Sequence, residues 1–574
     1  MSTEIPAGTD PAPTPPTGPW SRFVIWASQE NIEDYSLRYA PKSFRTWSPL
    51  ACGVTALGGI AYLADYSIGA SIAVAHGSAS AIIAIIVAAV TIFLTGAPIA
   101  YYAAKYNIDM DLLTRGAGFG YFGSTLTSLI YASFCFIFFA LEGSIMAQAM
   151  KLALHIPLPV GYLIGSLIII PLVLYGMTAL AKFQLWTQPL WFILFIAPIL
   201  CIAISDPSGF SGFLSWAGDG GNSRATAIGV GAGAGVALSL IPQIGEQVDY
   251  LRFMPEKSET PKLKWWTAVL AAGPGWVILG AAKQMCGAFL AFYVAGKVGF
   301  TAATEPIQQF LGGFGSLIHS DAFALTLATI MVLLSQVKIN VTNAYSGSLS
   351  WSNFFSRVLH VHPGRIVYLG LHIAIALALM MGNMFAVLNT ILGLYSNVAI
   401  AWVGAIVADL VVNKPLLKLS PSYVEFKRAY LYSINPVGFV SMLVGTAASV
   451  MAFYHLFGDF MAAWSPYLAL ALAFTLSPLL CIGTKGKYYL ARRNPLREEI
   501  EAEPLWAGQT LLDIVDNKRY ELPDMVHHCP FHQGTVSSLT CTLTKHCHDM
   551  CKKPEYQDST TADALRAELA PQAT

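Results

Sequence analysis

Twelve long apolar runs dominate this sequence, and they restrict the structures that the chain can adopt more than any other feature. Each run could cross a hydrocarbon core about 30 Å thick as one helix. Their approximate spans are residues 48–74, 79–103, 122–152, 159–180, 185–205, 226–250, 266–295, 321–347, 365–383, 386–412, 435–457 and 463–483. Only 11% of the residues are charged, whereas soluble domains have about 25%. The sequence therefore predicts an all-α integral membrane protein with about twelve transmembrane helices.

The lysine and arginine residues between the runs predict the orientation in the membrane. Only Lys151, Arg224 and Lys297 fall in the loops that lie opposite the N-terminus, and the other loops hold many more. Cytoplasmic loops are enriched in positive charge, so both termini should be cytoplasmic. No secretory signal opens the chain. We therefore expect a multi-pass protein of a bacterial plasma (inner) membrane.

The apolar runs divide the chain into three predicted segments. Residues 1–46 are a cytoplasmic N-terminal segment, and its first part, residues 1–19, has the Pro-, Thr- and Gly-rich composition of a disordered tail. Residues 47–484 are the membrane domain. Residues 485–574 are a cytoplasmic tail that contains a Cys/His-rich stretch, 527–553.

Two of the runs contain residues that interrupt helices. Span 1 has Gly58 and Gly59 close to an acid, Asp65, and span 6 has alternating glycines in residues 229–235, followed by Pro242. Glycine and proline weaken helix interiors, and the freed backbone groups must then be satisfied by protein or by a watery cavity. Spans 1 and 6 open two five-helix halves, and matching interruptions are typical of transporters built from inverted repeats. Alternatively, the glycines only permit close helix packing.

Enzyme motifs do not stand out in this sequence. The stretch GVGAGAG (229–235) lacks the lysine and hydroxyl residue of a phosphate-binding loop and lies inside an apolar run. The stretch RGAGFG (115–120) also lacks the lysine and hydroxyl residue of a phosphate-binding loop. We therefore expect neither enzymatic activity nor a nucleic-acid partner.

Four stretches together resemble the nucleobase cation symporter family, the permeases for cytosine, purines, uracil, thiamine and allantoin. They are NIDMDLLTRGAGFGYFGSTLTSLI (107–130), EQVDYLRFMP (246–255), NAYSGSLSWSNFFSRVLHVHPGR (343–365) and SINPVGFVSMLVG (433–445). The resemblance extends over approximately residues 30–490. It implies the inverted-repeat 5+5 fold first described for a bacterial leucine transporter, with broken helices 1 and 6, two further helices and alternating access.

The resemblance also implies positions that bind substrate. The family's span-3 tryptophan and glutamine, which contact a planar ring, correspond to Phe138 and Glu142, and their spacing places them on one helix face. Phe138 could also be ordinary packing. A carboxylate only accepts hydrogen bonds, so Glu142 favours a substrate that is rich in N–H groups or positively charged. The family's second stacking tryptophan corresponds to Leu240, which removes one side of the aromatic sandwich. The other polar candidates are Ser239, Gln243 and Asn343.

A lysine inside span 8 bears on the coupling ion. The hydroxyl pair that helps to bind sodium in the family corresponds to Val337 and Lys338. The ammonium of Lys338 could fill the sodium position and, facing Asp65, load and release a proton. A static ion pair is the alternative. We therefore predict proton-coupled or sodium-independent transport. For a second buried lysine, Lys283, we expect a structural role, with Glu246 as a candidate partner.

The tail holds a cluster of cysteines. Cys529, Cys541, Cys547 and Cys551 lie in HHCPFHQGTVSSLTCTLTKHCHDMCKK (527–553). Clustered thiols in a cytoplasmic segment indicate metal binding more often than disulfides, and four thiolates could hold zinc or an iron–sulfur cluster. The spacing lacks C-x2-C pairs, so free thiols or ligation by histidine are alternatives. Transport itself is expected to need no cofactor.

The tail also resembles a cysteine-rich segment that joins a permease-like domain to a histidine kinase in some bacterial sensors. Two hypotheses follow. In the first, the protein is a secondary active transporter for a small nucleobase-like or ureide-like nitrogen compound, with a proton or another cation as the coupling ion. In the second, it is a transporter-derived sensor that signals to a separate histidine kinase. A channel is less well supported, because broken helices with binding residues suit a closed site.

Overall fold

The structure of the protein, a computed structural model, describes most of the chain. The described residues are 47–174, 176–492, 510–522 and 525–556, together with Gly18, Pro19, Arg22, Trp26, Ala27, Leu37, residues 39–42 and Arg45. Most of the predicted N-terminal segment, including residues 1–17 of the stretch predicted to be disordered, lies outside the described residues.

Long apolar helices form the described part of the predicted membrane domain. Nine of them are long and apolar enough to cross a membrane, and the bent pair Pro49–Gly59 and Ala64–His76 gives up to ten such spans. Two shorter apolar helices, Leu158–Leu174 and Arg365–Met381, lie where the sequence predicts spans 4 and 9. Ten predicted spans are therefore confirmed by length and composition, and the full count of twelve stays a prediction.

The helices and strands have the following bounds. The helices are α1 (Pro49–Gly59), α2 (Ala64–His76), α3 (Ser78–Tyr106), α4 (Met110–Thr114), α5 (Ser124–Leu154), α6 (Leu158–Leu167), α7 (Ile170–Leu174), α8 (Gly176–Ser205), α9 (Ala227–Ala237), α10 (Gln243–Leu251), α11 (Lys262–Ala272), α12 (Trp276–Val298), α13 (Phe300–Ala303), α14 (Pro306–Gly315), α15 (Asp321–Leu359), α16 (Arg365–Met381), α17 (Leu388–Ala408), α18 (Pro436–Phe453), α19 (Asp459–Ala463), α20 (Ser465–Thr484) and α21 (Ser538–Leu543). The strands are β1 (Thr510–Leu512), β2 (Arg519–Glu521), β3 (Met525–Cys529) and β4 (Gly534–Ser537).

The first membrane span breaks between α1 and α2, as the sequence predicts. The two helices are bent by 49°, and residues 60–63 between them are not helical. The carbonyl oxygen of Ala61 accepts a hydrogen bond from Trp191 Nε1 at 3.2 Å. The carbonyl oxygens of Ile60 and Tyr62 accept hydrogen bonds from Lys283. Side chains therefore satisfy the backbone groups that the missing helical turn leaves unpaired.

The sixth span, Ala227–Leu251, changes from α-helix to a 3₁₀ turn after α9 and lacks the sharp bend of span 1. Residues Leu238–Leu240 form a 3₁₀ turn, and α10 begins at Gln243, directly after Pro242. The alternating glycines lie inside α9 itself, which is a regular helix. A Cβ atom on Gly231 or Gly233 would come within 2.6 Å of an atom of another segment. These glycines therefore permit close packing, which is the alternative interpretation of the pattern, and the irregular turn lies between them and Gln243.

Close packing of α2 against α12 positions Lys283. A Cβ atom on Gly69 would lie 1.9 Å from the carbonyl oxygen of Gln284, and one on Gly287 would lie 2.3 Å from the carbonyl oxygen of Tyr66. Only residues without a Cβ atom allow two backbones to approach this closely. Lys283 lies four residues before Gly287 on α12, so this contact holds the lysine beside the break in span 1.

The described part of the tail contains two short antiparallel hairpins followed by α21. Strand β1 pairs with β2, and β3 pairs with β4 with an irregularity in register between Met525 and His527. Asp513 connects the hairpins, because its Oδ2 accepts hydrogen bonds from Ser537 N at 2.7 Å and from Thr540 Oγ1 at 2.6 Å. All four strands lie in the tail. The described segments of the membrane domain contain helices and loops but no strand.

Arg428, in the loop between α17 and α18, attaches the tail to the membrane domain. Its Nε lies 2.9 Å from Asp549 Oδ1, and its guanidinium also donates to the carbonyl oxygen of Cys541 at 3.1 Å. Next to this contact, His360 Nδ1 lies 2.9 Å from the carbonyl oxygen of Thr542. The tail therefore packs on the loops at one end of the helical domain.

Candidate functional site

Buried polar side chains surround the break in span 1. We call this group the central site, and it consists of Tyr62, Asp65, Glu142, Gln243, Glu246, Lys283, Gln336 and Asn343. They come from α2, α5, α10, α12 and α15 and from the break itself, and all are buried. Ionisable groups inside a membrane domain are costly and mark functional sites by default. The break in span 1 is therefore the candidate site for bound solute.

Glu142 of α5 contacts the broken helix directly. Its Oε1 accepts a hydrogen bond from the backbone N–H of Ala64, the first residue of α2, at 3.1 Å. A carboxylate at a helix N-terminus is stabilised by the helix dipole. Its Oε2 has no hydrogen-bond partner of acceptable geometry among the described residues, although Gln336 lies beside this carboxylate. Glu142 thus faces the protein interior and keeps one acceptor for another group.

Glu246 adds a second carboxylate that the sequence analysis did not assign to the substrate site. Its Oε2 accepts a hydrogen bond from Gln243 Nε2 at 2.5 Å, so the expected pairing with Lys283 is not formed. Its Oε1 has no partner within the part of the chain that the structure describes. Glu246 also interacts electrostatically with Glu142. The signal in the sequence was the position of this acid. Glu246 lies about one turn after Gln243, and Gln243 directly follows the helix-breaking Pro242.

Two further predicted substrate positions have contacts within their own segments. Phe138 lies one turn before Glu142 on α5, is buried, and packs against Phe134 with 4.6 Å between the ring centroids. Ser239 donates its hydroxyl to the carbonyl oxygen of Val236 at 2.7 Å. The backbone of its own turn thus occupies the Ser239 hydroxyl donor. A role in substrate binding stays a prediction for both residues.

Asn343 connects the central site to α5 through a second asparagine. Its Nδ2 donates to Asn340 Oδ1 at 3.2 Å, and Asn340 Nδ2 donates to the carbonyl oxygen of Phe139 at 3.3 Å. The Oδ1 of Asn343 has no partner among the described residues. The structure therefore brings the span-8 asparagine close to the helix that carries Glu142, as expected if both contact one ligand.

Lys338 does not face Asp65, in contrast to the sequence-based hypothesis. Its ammonium donates to three oxygens of α8, namely Gln184 O at 3.1 Å, Thr187 Oγ1 at 2.9 Å and Gln188 Oε1 at 3.0 Å. Asp65 instead forms its ion pair with Lys283, with 2.9 Å between Oδ2 and Nζ. The reason is geometric, because Lys338 lies on the face of α15 that packs on α8, whereas α12 packs directly on α2.

The four cysteines of the predicted metal site come together in the tail. Cys529, Cys541, Cys547 and Cys551 line one small cavity, and all but Cys547 are buried. Burial raises the pKa of the Cys551 thiol to about 11. Within the described residues, no group of three His, Cys, Asp or Glu side chains stands in an arrangement that could hold a metal ion. Zinc or an iron–sulfur cluster at these cysteines therefore stays a prediction.

Comparisons with known proteins identify the family. The family described as "Permease for cytosine/purines, uracil, thiamine, allantoin" matches residues 39–477. No curated protein matches the chain. One similar solved structure is Mhp1, a nucleobase-cation-symport-1 family transporter, in a closed conformation with bromovinylhydantoin bound. It has 16% sequence identity and a TM-score of 0.57, and the match covers 79% of this chain and 99% of that one.

Two other solved structures share the fold. The inward facing conformation of Mhp1 has a TM-score of 0.55 at 16% identity, with 80% of this chain and 97% of that chain covered. A substrate-bound, outward-open Na⁺-coupled sialic acid symporter has a TM-score of 0.53 at 14% identity, with 80% and 95% covered. These structures confirm the transporter fold predicted from the sequence.

The family match supports the first of the two hypotheses drawn from the sequence. It covers most of the chain, including all of the described membrane helices except the last residues of α20. Neither this match nor the similar structures support the sensor hypothesis or a histidine kinase partner. The chain belongs to the family of permeases for cytosine and purines, uracil, thiamine and allantoin, and it is a multi-pass membrane transporter.

Proposed function

We propose that this protein takes up a small nitrogen compound of nucleobase-like or ureide-like chemistry, and that the compound binds in the central site beside the break in span 1. Family membership supports secondary active transport by alternating access. The chemistry of the buried side chains supports the class of solute. The plasma (inner) membrane as its location and the cytoplasmic position of both termini are part of the same proposal.

Three buried oxygen atoms carry the substrate proposal. They are Glu142 Oε2, Glu246 Oε1 and Asn343 Oδ1, and none has a hydrogen-bond partner among the described residues. An unsatisfied buried polar group costs about 1–3 kcal/mol, so a group of them calls for a ligand or water that satisfies them. These three atoms are acceptors, whereas the unpartnered Gln336 Nε2 of the same site is a donor. Their complement is therefore a solute that carries several N–H donors and an acceptor. Cyclic amides, purines and ureides have this character.

The two carboxylates bear on the coupling ion. Glu142 and Glu246 are both buried and interact with each other, and like charges in one site repel. A proton bound by the pair, or a positively charged solute, would reduce this repulsion. We therefore propose a proton as the coupling ion, and we assign it to these carboxyl groups because Lys338 does not contact Asp65.

A ligand screen tests this proposal. Purified full-length protein is heated with cytosine, uracil, purines, hydantoins, allantoin or thiamine, and a compound that binds the native state raises the melting midpoint. Compounds that bind are then tested for uptake into proteoliposomes with and without a proton gradient. We expect at least one to bind and to accumulate when the gradient is present. Binding of none, or binding without flux, would contradict the proposal.

Variants of the carboxylates test the location of the site. Replacing Glu142 or Glu246 with Gln removes a charged acceptor, and hydrogen bonds to charged groups contribute about 1.5–3 kcal/mol. We therefore expect each variant to bind the solute roughly 10- to 100-fold more weakly. Asp219→Asn makes the same chemical change in an exposed loop and should leave the affinity unchanged.

A further inference from the structure

We propose that Lys283 is a tethered cation, whose side-chain ammonium permanently occupies the position in the break of span 1 where a mobile coupling cation would otherwise bind. This inference rests on the proposed transport function, and it adds a specific consequence. Sodium should not be needed to order the break or to prepare the central site.

Oxygen atoms of the broken helix surround the Lys283 ammonium. Nζ lies 2.6 Å from the carbonyl oxygen of Ile60, 3.0 Å from that of Tyr62 and 2.9 Å from Asp65 Oδ2. The two carbonyl oxygens accept hydrogen bonds from the ammonium, and Asp65 Oδ2 lies at ion-pair distance from it. The ammonium also lies 3.7 Å from the centroid of the Tyr62 ring, where a cation–π interaction adds to its binding.

The chemistry of these acceptors is that of a site for a monovalent cation. Two are backbone carbonyl oxygens that the break in the helix makes available, and such carbonyls coordinate sodium or protons in transporters with broken helices. The third is a carboxylate, so the three acceptors together carry one negative charge. One ammonium neutralises that charge. The site is therefore satisfied without a mobile ion.

Neighbouring contacts hold the lysine in this position. Gln284, the next residue of α12, donates its Nε2 to the other oxygen of Asp65 at 2.7 Å. The glycines Gly69 and Gly287 keep the backbones of α2 and α12 in direct contact. Lys283 and Asp65 are both fully buried. Two consecutive residues of α12 thus bind the same carboxylate.

Lys338 lacks these features. Its three acceptors all belong to α8 and include no carboxylate, whereas those of Lys283 all belong to the first membrane span. The break also links the two sides of the site, because Ala64 at its end donates to Glu142. A fixed ammonium on one side of the break can therefore keep the substrate-binding carboxylate in place on the other.

Removal of the ammonium followed by addition of cations tests the inference. Melting midpoints of full-length wild type, Lys283→Ala and Lys297→Ala are measured without solute in sodium, lithium, methylammonium and choline chloride at equal ionic strength. We expect the wild type to melt at the same temperature in all four salts. Lys283→Ala should melt several degrees lower in choline, and sodium or methylammonium should restore part of the loss in a saturable manner. Lys297→Ala, which removes an exposed ammonium from the same helix, is the control and should show no saturable effect.

Two results would overturn the inference. One is a Lys283→Ala protein that no small cation stabilises more than choline does. The other is a saturable stabilisation of the wild type by sodium, which would show a mobile ion beside the lysine, and this measurement remains decisive even when the variant does not fold. Because the readout is stability without solute, failure of the solute screen and failure of the tethered-cation inference are distinguishable.

Discussion

Lys283 and Asp65 form a fully buried ion pair at the break of the first membrane span, with 2.9 Å between Nζ and Oδ2. The pair joins the middle of α12 to the start of α2. Loss of one partner leaves a buried charge uncompensated, which is strongly destabilising. This relationship makes the stability of the membrane domain depend on both residues together.

A double-mutant cycle should reveal this dependence. We expect Lys283→Met or Asp65→Asn alone to lower the free energy of unfolding by about 3–5 kcal/mol. The double variant should lose clearly less than the sum of the two single losses, because it contains no unpaired charge. Chemical denaturation in detergent provides the measurement. Additive losses would indicate that the two side chains do not stabilise each other.

The glycine contact between α2 and α12 predicts a second difference between variants. A Cβ atom on Gly287 would lie 2.3 Å from a backbone oxygen of α2, whereas one on Gly296 of the same helix would have no atom within 4 Å. We therefore expect Gly287→Ala to lower the free energy of unfolding by about 1–3 kcal/mol. Gly296→Ala should be neutral or stabilising by up to about 1 kcal/mol. Melting midpoints of the two variants compare these effects, and equal midpoints would rule out the close approach.

The role of Phe138 can be separated from ordinary packing by comparison with its neighbour. Phe134 and Phe138 are both buried on α5 and pack against each other, so truncation of either to Ala should cost about 3–5 kcal/mol of stability. Only Phe138→Ala should also weaken binding of the solute, by roughly three- to tenfold, the usual contribution of an aromatic contact. Titration calorimetry with a compound from the screen measures this, and equal affinities in both variants would assign Phe138 to packing alone.

The contact of Arg428 with the tail predicts how the tail is released. Arg428 pairs with Asp549 and also donates to a backbone carbonyl oxygen of α21. Arg428→Ala removes these two contacts of the tail with the membrane domain, while Lys552 still pairs with Asp549 within the tail. We expect thermolysin to cleave residues 510–556 several-fold faster in this variant. Lys553→Ala, which changes an exposed lysine of the tail, is the matched control and should be cleaved at the wild-type rate. An unchanged rate in Arg428→Ala would mean that other contacts hold the tail.

The predicted metal site in the tail is tested by elemental analysis. We expect purified full-length protein to contain about one equivalent of zinc, or iron with the visible absorption of a cluster. Cys551→Ser should lose most of this metal, and Cys286→Ser, which changes a thiol of α12, should retain it. A wild-type protein without bound metal, even after reconstitution under reducing conditions, would show that the four cysteines are free thiols.

Residues whose role depends on local chemistry could be predicted from the sequence. The apolar runs predicted the spans because hydropathy is a property of each segment by itself. Gly58, Gly59 and Pro242 predicted the interruptions because backbone preferences are also local. Glu142 could be assigned to the interior because an isolated acid facing lipid is costly. These inferences needed no knowledge of which helix lies beside which.

The tertiary structure decided which charged groups meet. The sequence led us to expect Asp65 beside Lys338 and Lys283 beside Glu246. Asp65 instead pairs with Lys283, because Gly69 and Gly287 bring α12 against α2, while Lys338 turns toward α8. Glu246 found its partner in Gln243 on its own helix rather than in Lys283. Such pairings depend on the rotation and packing of helices that are distant in the chain. Composition and spacing contain no measure of that rotation, so only the packed structure determines them.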